Sequence, residues 1–296
     1  MFKLIEYLNN SFSITEDKQY FYGWKKGSKW EEQKKNFLVD KFSVFTIFEY
    51  NNSYDNIKFV DLRNNYNEEV YNQLNLNSST ANAVAFCFHY DQIKNYNKSV
   101  IKPSRLFIYY NERQSLNNQN ENENEDGNNL NSISVEIFDS INVLYNLGVC
   151  PECMYVYEEK NFNNKPDVEC YKEALNNKLI IYNAIDQNLH QLKAALIEGY
   201  PVLCGVNIYS NFETDDVKET GNIKLPNKDD NLVGGLAITL VGFDEGDKVF
   251  IAKNSWGAEW GDNGYCYIPY DYILDPKLSS DFWIIRKTYE NKETEF

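Results

Sequence analysis

The sequence predicts an α+β protein in which helices come first and strands follow. Three observations carry this. The run Ser79 to Tyr96 lacks Gly and Pro, and its apolar residues Ala83, Phe86, Cys87 and Tyr90 recur at helical spacing. Residues 133–147 resume a helical period and stop at Gly148, a residue suited to ending a helix. Beyond about residue 185 short segments rich in β-branched and aromatic residues dominate, at 201–209, 237–241, 248–253, 264–268 and 281–285.

Residues 1–60 are mixed aromatic and charged, and Tyr20-Phe-Tyr-Gly-Trp24 is their compact apolar cluster. This stretch is expected to pack on the domain as a permanent N-terminal extension, with no cleavage needed for activation. Thr80 and Asn82 open the first helix, where short polar side chains can cap free N–H groups. Residues 103–112 form a second element. The tract 117–129, nearly all Asn, Glu and Gln, has nothing to bury and reads as a flexible surface loop. Residues 189–198 predict one more helix before the strands. The domain organisation expected is thus an extension over 1–60, a helical lobe over 61–185 and a β-rich lobe over 186–290, without internal repeats.

At 296 residues and 43% hydrophobic content the chain can bury a large core, and 16% aromatics place it among globular proteins. With Lys+Arg 29 against Asp+Glu 44 the net charge is −15, which argues against nucleic acid or an anionic membrane as partner. Glu6 and the asparagines after it interrupt any signal-peptide core, and no stretch approaches a membrane span. The expectation is a protein that is not secreted and is kept in the cytoplasm or packaged in a virion. Bias toward Asn, Lys, Ile and Tyr fits an AT-rich coding genome.

Six cysteines stand at 87, 150, 153, 170, 204 and 266. Cys87, Cys204 and Cys266 lie in apolar runs and read as small buried hydrophobes. Cys150-Pro-Glu-Cys153 has metal-ligand spacing, but a lone pair of this kind is weak support for zinc, so no metal or cofactor is expected. Cys170 would complete a local disulfide only in an oxidising compartment.

Two motifs carry chemistry. The first is Val70-Tyr-Asn-Gln-Leu-Asn-Leu-Asn-Ser-Ser-Thr-Ala-Asn-Ala83, which resembles Gln-Gly-Ser-Leu-Gly-Ser-Cys-Thr-Ala-Asn-Ala in papain-like cysteine peptidases of a branch found in bacteria and large DNA viruses. The second is Val233-Gly-Gly-Leu-Ala237 with Ala252-Lys-Asn-Ser-Trp-Gly257, which resembles that family's histidine and asparagine segments. Similarity extends through 103–112, 148–152, 264–273 and 281–283, so it covers about residues 60 to 287. It implies a papain-like two-lobed fold with a helical left lobe and an antiparallel, barrel-like right lobe.

The resemblance places Ser79 on the nucleophilic cysteine, Leu236 on the catalytic histidine, Asn254 on the asparagine that orients it, Gln73 on the oxyanion glutamine and Trp256 on the indole shielding the asparagine. Leu74 and Asn77 fall on two glycines of the loop between. Papain-type chemistry needs a thiolate at a helix N-terminus and an imidazole across the cleft. Leucine carries no proton, and a serine hydroxyl needs a positioned base to attack. His89 lies ten residues along the same helix, about 15 Å away by helical rise, and His190 opens another helix. Neither is expected to serve Ser79. A Cys→Ser change made to trap a peptidase would explain Ser79 alone, and would leave Leu236, Leu74 and Asn77 unexplained.

The expectation is a catalytically inactive homologue that acts as a binding or structural protein with a protein or peptide partner. The alternative is a weak Ser79-dependent hydrolase or residual papain-type peptidase. Gln73 and Asn254 are expected to persist as buried, hydrogen-bonded amides, and Asn77 to hold the loop by accepting positive φ.

Overall fold

The structure is a computed structural model that describes residues 20–32, 54, 56–65, 69–96, 100–117 and 133–288. The 117–129 tract, apart from its first residue, and the chain before residue 20 lie outside the described residues.

Helix α1 runs Ser79–Tyr96, over the span its apolar spacing predicts. Residues 79–92 are buried on almost every side, because α1 packs on the sheet with one face and on helices α2 (Arg105–Asn117) and α3 (Ile137–Asn146) with others. Thr80 and Asn82 do not cap it as expected. Thr80 Oγ1 donates to Glu112 and Asn82 Nδ2 donates to Ser78 O, so both side chains act as donors inside the core.

Helix α3 starts at Ile137 rather than Ile133, because 133–136 are extended and Val135 pairs with Trp24. It ends at Asn146 with Leu147 as its C-cap, and Gly148 takes φ +79°, where an added Cβ would stand 1.8 Å from Ala174 O. Helix α4, Val168–Ala174, follows, then strand β2, Leu179–Ala184, and α5, Leu189–Ile197, near the predicted 189–198.

A seven-stranded antiparallel sheet forms the other half, in the order β2-β7-β3-β4-β5-β6, with β1 (Phe59–Asp61) pairing β4. Its strands β3 (Val202–Tyr209), β4 (Leu232–Asp244), β5 (Val249–Lys253), β6 (Tyr265–Pro269) and β7 (Ser279–Thr288) enclose each predicted β segment or overlap it. Two short helices, α6 (Asp215–Thr220) and α7 (Tyr270–Leu274), complete the half. The sheet draws β2 from before residue 185, so strand pairing crosses the compositional boundary. One apolar core runs through both halves and includes Leu76, Phe86, Leu236, Trp260 and Trp283. Cys87, Cys204 and Cys266 sit in it fully covered.

Candidate functional site: a cleft closed by the chain's own strap

Loop 70–78 delivers Gln73 and α1 begins at Ser79, both with no exposed surface. Opposite them β4 carries Gly235, Leu236 and Ala237, and the turn after β5 carries Asn254, Ser255 and Trp256. The fold therefore brings Gln73, Ser79, Leu236, Asn254 and Trp256 to one seam between the helices and the sheet. Ser79 Oγ accepts from Ala237 N at 3.1 Å, and Gln73 N donates to Ser255 O at 2.8 Å.

Residues 20–27 lie in this seam as an extended strap. Tyr22 O accepts from Gln73 Nε2 at 2.8 Å and from Ser79 N at 3.4 Å. Gln73 Nε2 also reaches Phe21 O at 3.1 Å and Leu76 O at 2.8 Å, while its Oε1 accepts from Ser255 Oγ at 2.6 Å. Gln73 Nε2 and Ser79 N, at the positions expected from the sequence to hold an oxyanion, thus both face a peptide carbonyl of the chain itself. Gly23 N and Trp24 N donate to Gly235 O at 3.2 and 3.0 Å, and Trp24 pairs in parallel with Val135 through Lys25 N to Val135 O at 3.0 Å and Val135 N to Gly23 O at 2.9 Å.

Trp24 anchors the strap. Its indole is buried, and Nε1 donates to Asp281 Oδ2 at 2.9 Å. Glycine makes the room: a Cβ on Gly205 would sit 1.9 Å from the indole, and one on Gly23 would sit 2.2 Å from Asn77 O. Asp281 also accepts from Ile137 N at 3.0 Å and Trp283 Nε1 at 2.6 Å, so one buried carboxylate joins strap, α3 and β7. Burial pushes its pKa up, opposed by these hydrogen bonds. Trp256 Nε1 donates to Phe21 O at 2.9 Å and its ring lies 4.4 Å from that of Tyr20. Tyr22 Oη bonds the Glu213 carboxylate, and burial followed by that bond raises its pKa.

Behind Gln73 a second network fixes the loop. Tyr157 Oη donates to Gln73 O at 2.9 Å, which leaves the Ser78 hydroxyl to donate to Tyr157 at 2.6 Å. Arg105 stacks on Tyr71 and Tyr157 at 4.4 and 4.1 Å and forks onto Glu152 at 3.0 and 2.7 Å.

The expectation of satisfied buried amides holds fully for Gln73 and half for Asn254. Asn254 Oδ1 accepts from Ser255 N at 2.6 Å, whereas its Nδ2 is buried with no partner among the described residues. The loop strain falls elsewhere than expected: Leu74 takes φ +52°, and Asn77 has no positive φ, since the turn at 73–76 reverses at Leu74. His89 is buried on α1 and His190 is exposed on α5; neither side chain bonds Ser79. Among the described residues the hydrogen bond at Ser79 Oγ is the one from Ala237, and no group of three metal-ligating side chains converges. Asp281, Tyr157 and the strap carbonyls went unread in the sequence. The Tyr20–Trp24 cluster and the Asp281-Phe-Trp283 motif were the available signals.

The model of the papain family cysteine protease matches residues 132–275. A peptidase C1-like protein of Acanthamoeba polyphaga mimivirus is 39% identical over 220 residues, spanning 72% of this chain and 68% of the relative. The chain belongs to the papain family of cysteine peptidases. Among solved structures of that family, xylellain, a cysteine protease from Xylella fastidiosa, superposes with a TM-score of 0.73 at 32% identity, covering 91% of this chain and 97% of its own. Procathepsin L 3 of Tenebrio molitor shares the papain fold at a TM-score of 0.58 and 18% identity, over 78% of this chain and 70% of its own.

Proposed function

We propose that this papain-family chain is a non-catalytic homologue that works as a binding or structural protein, with its cleft filled by its own strap. The observation that carries this reading is the Tyr22 carbonyl, which takes the hydrogen bonds of both Gln73 Nε2 and Ser79 N. Ser79 stands at the nucleophile position and Leu236 at the histidine position. Leu236 is fully buried, so no titratable group is presented there. Ser79 Oγ is itself an acceptor for a backbone amide, and among the described residues no base is hydrogen-bonded to it to take its proton. Gln73, Asn254 and Trp256 then serve the fold, as hosts of the strap and of buried hydrogen bonds. A protein or peptide partner meets the outer surfaces of strap and lobes rather than the occupied cleft.

The test is a labelling and turnover assay on the full chain. Neither a serine-reactive phosphonate nor a panel of fluorogenic peptides is expected to report on Ser79. Labelling or turnover abolished by Ser79→Ala overturns the proposal in favour of a weak hydrolase.

A further inference from the structure

Three exposed apolar side chains gather where β4 begins. Leu232 is 59% accessible, Leu225 45% and Val233 39%. Their backbones share one platform with the turn Ser210–Glu213 that follows β3. Ser210 N donates to Asn231 O at 2.8 Å, Asn231 N donates to Ser210 Oγ at 3.2 Å, and Asn211 Nδ2 donates to Lys224 O at 3.0 Å. The platform thus displays aliphatic groups to water on a fixed backbone, which favours their burial by another surface.

Carboxylates flank these groups. Glu213, Asp215, Asp216, Glu219, Asp229 and Asp230 lie within 209–233, against Lys218, Lys224 and Lys228, and Lys224 Nζ is already 3.4 Å from Asp216. Asp230 Oδ1 accepts from Ser210 Oγ at 3.3 Å, and Glu213 bonds the Tyr22 hydroxyl, so the acids reach from the start of β4 to the strap.

We propose that this platform docks a basic segment of another protein, one that sets aliphatic side chains beside Lys or Arg. The sign of the charge selects the occupant. A second copy of this chain brings a like charge of −15, and nucleic acid or an anionic lipid surface brings phosphates, so the acids repel all three. A basic segment is drawn in over about 8 Å, the Debye length at physiological salt, and its aliphatic groups then cover Leu225, Leu232 and Val233. The carboxylates govern which partner is admitted, and the apolar contact governs how long it stays. The inference rests on the reading of the chain as a binding protein and names the chemistry of its partner.

The experiment titrates the full chain into a fluorescein-labelled alternating leucine–lysine peptide at physiological salt, read by anisotropy, with an alternating serine–lysine peptide of equal charge beside it. The leucine–lysine peptide is expected to bind about tenfold more tightly than the serine–lysine peptide. Asp215→Lys with Asp229→Lys should weaken its binding about tenfold, and Leu225→Ser with Leu232→Ser should remove most of the preference for leucine. Glu169→Lys with Asp247→Lys changes the net charge equally at exposed sites on α4 and on the β4–β5 turn, and should change binding less than about twofold. Hydrogen exchange of the complex should show protection within 209–233. Equal weakening by the two charge variants, protection confined to other segments, or no binding of the leucine–lysine peptide overturns the proposal. So does equal affinity for the two peptides. These outcomes sink the docking surface alone, whereas turnover lost on Ser79→Ala sinks the reading it rests on.

Discussion

Ser79 Oγ receives the amide proton of Ala237 across the seam between α1 and β4, at 3.1 Å. A hydroxyl that would attack a carbonyl needs its proton drawn off and its lone pair free; here a lone pair is held by a buried N–H. The same contact ties the two halves of the fold together. Ser79→Ala is therefore expected to act on stability: it leaves Ala237 N–H buried without its acceptor, at a cost of about 1–3 kcal/mol. A fall in the urea midpoint at unchanged m-value checks this. An unchanged midpoint would mean that the bond contributes nothing.

Trp24→Ala removes the strap's anchor. Truncating a buried tryptophan costs about 3–5 kcal/mol, and here Asp281 also loses one of its donors. The loss should appear first as local release, because the strap joins the seam mainly through backbone bonds at Tyr22, Gly23 and Lys25. Lys25 and Lys26 are exposed and are expected to become rapid trypsin sites in the variant while the rest of the domain resists. Equal cleavage rates in wild type and variant would show that Trp24 does not hold the strap.

Leu74 pays for its position: a left-handed backbone costs a non-glycine residue about 1–2 kcal/mol, and this side chain is 44% exposed, so little packing is recovered. Leu74→Gly relieves that strain but adds freedom to the unfolded chain worth about 0.4–1 kcal/mol. A net gain of about 0.5 kcal/mol is expected, with Leu74→Asn between the two and Leu74→Ala no better than wild type. The order of three urea midpoints is the check.

What was legible in the sequence follows from which groups carried the signal. α1 could be read because its apolar period is unbroken from Ala83 to Tyr90, and most strands because β-branched runs such as Ala237-Ile-Thr-Leu-Val241 are bounded by turns. α4 was not, because Val168-Glu-Cys-Tyr-Lys-Glu-Ala174 is short and mostly polar, and β2 was hidden at a sheet edge by its lack of alternation. The residues of the site could be placed by motif, yet its occupant could not. The groups that fill it, Phe21 O, Tyr22 O and Gly23 N, are backbone atoms that every residue owns. Asn77 and Leu74 exchanged roles for a related reason: positive φ is set by where the loop must reverse to reach Ser255, not by which side chain tolerates it best.

Glu112 on α2 gives the fold a pH dependence. It is fully buried, with Thr80 Oγ1 donating to Oε1 at 3.1 Å and Ser140 bonded to Oε2, and burial pushes its pKa up to about 8 against those hydrogen bonds. The folded state thus keeps the proton that the unfolded chain releases above about pH 4.5. Stability from this group is complete below that pH, declines as pH rises from about 4.5 to about 8, and is flat beyond; at about 1.4 kcal/mol per pKa unit the total is a few kcal/mol. Glu112→Gln keeps an oxygen for Thr80 and offers an amide to Ser140 without an ionisable proton. The variant is expected to match wild type near pH 4.5 and to exceed it by a few kcal/mol near pH 8, read from urea midpoints at both values. Parallel pH profiles for the two proteins would place the titration in another group.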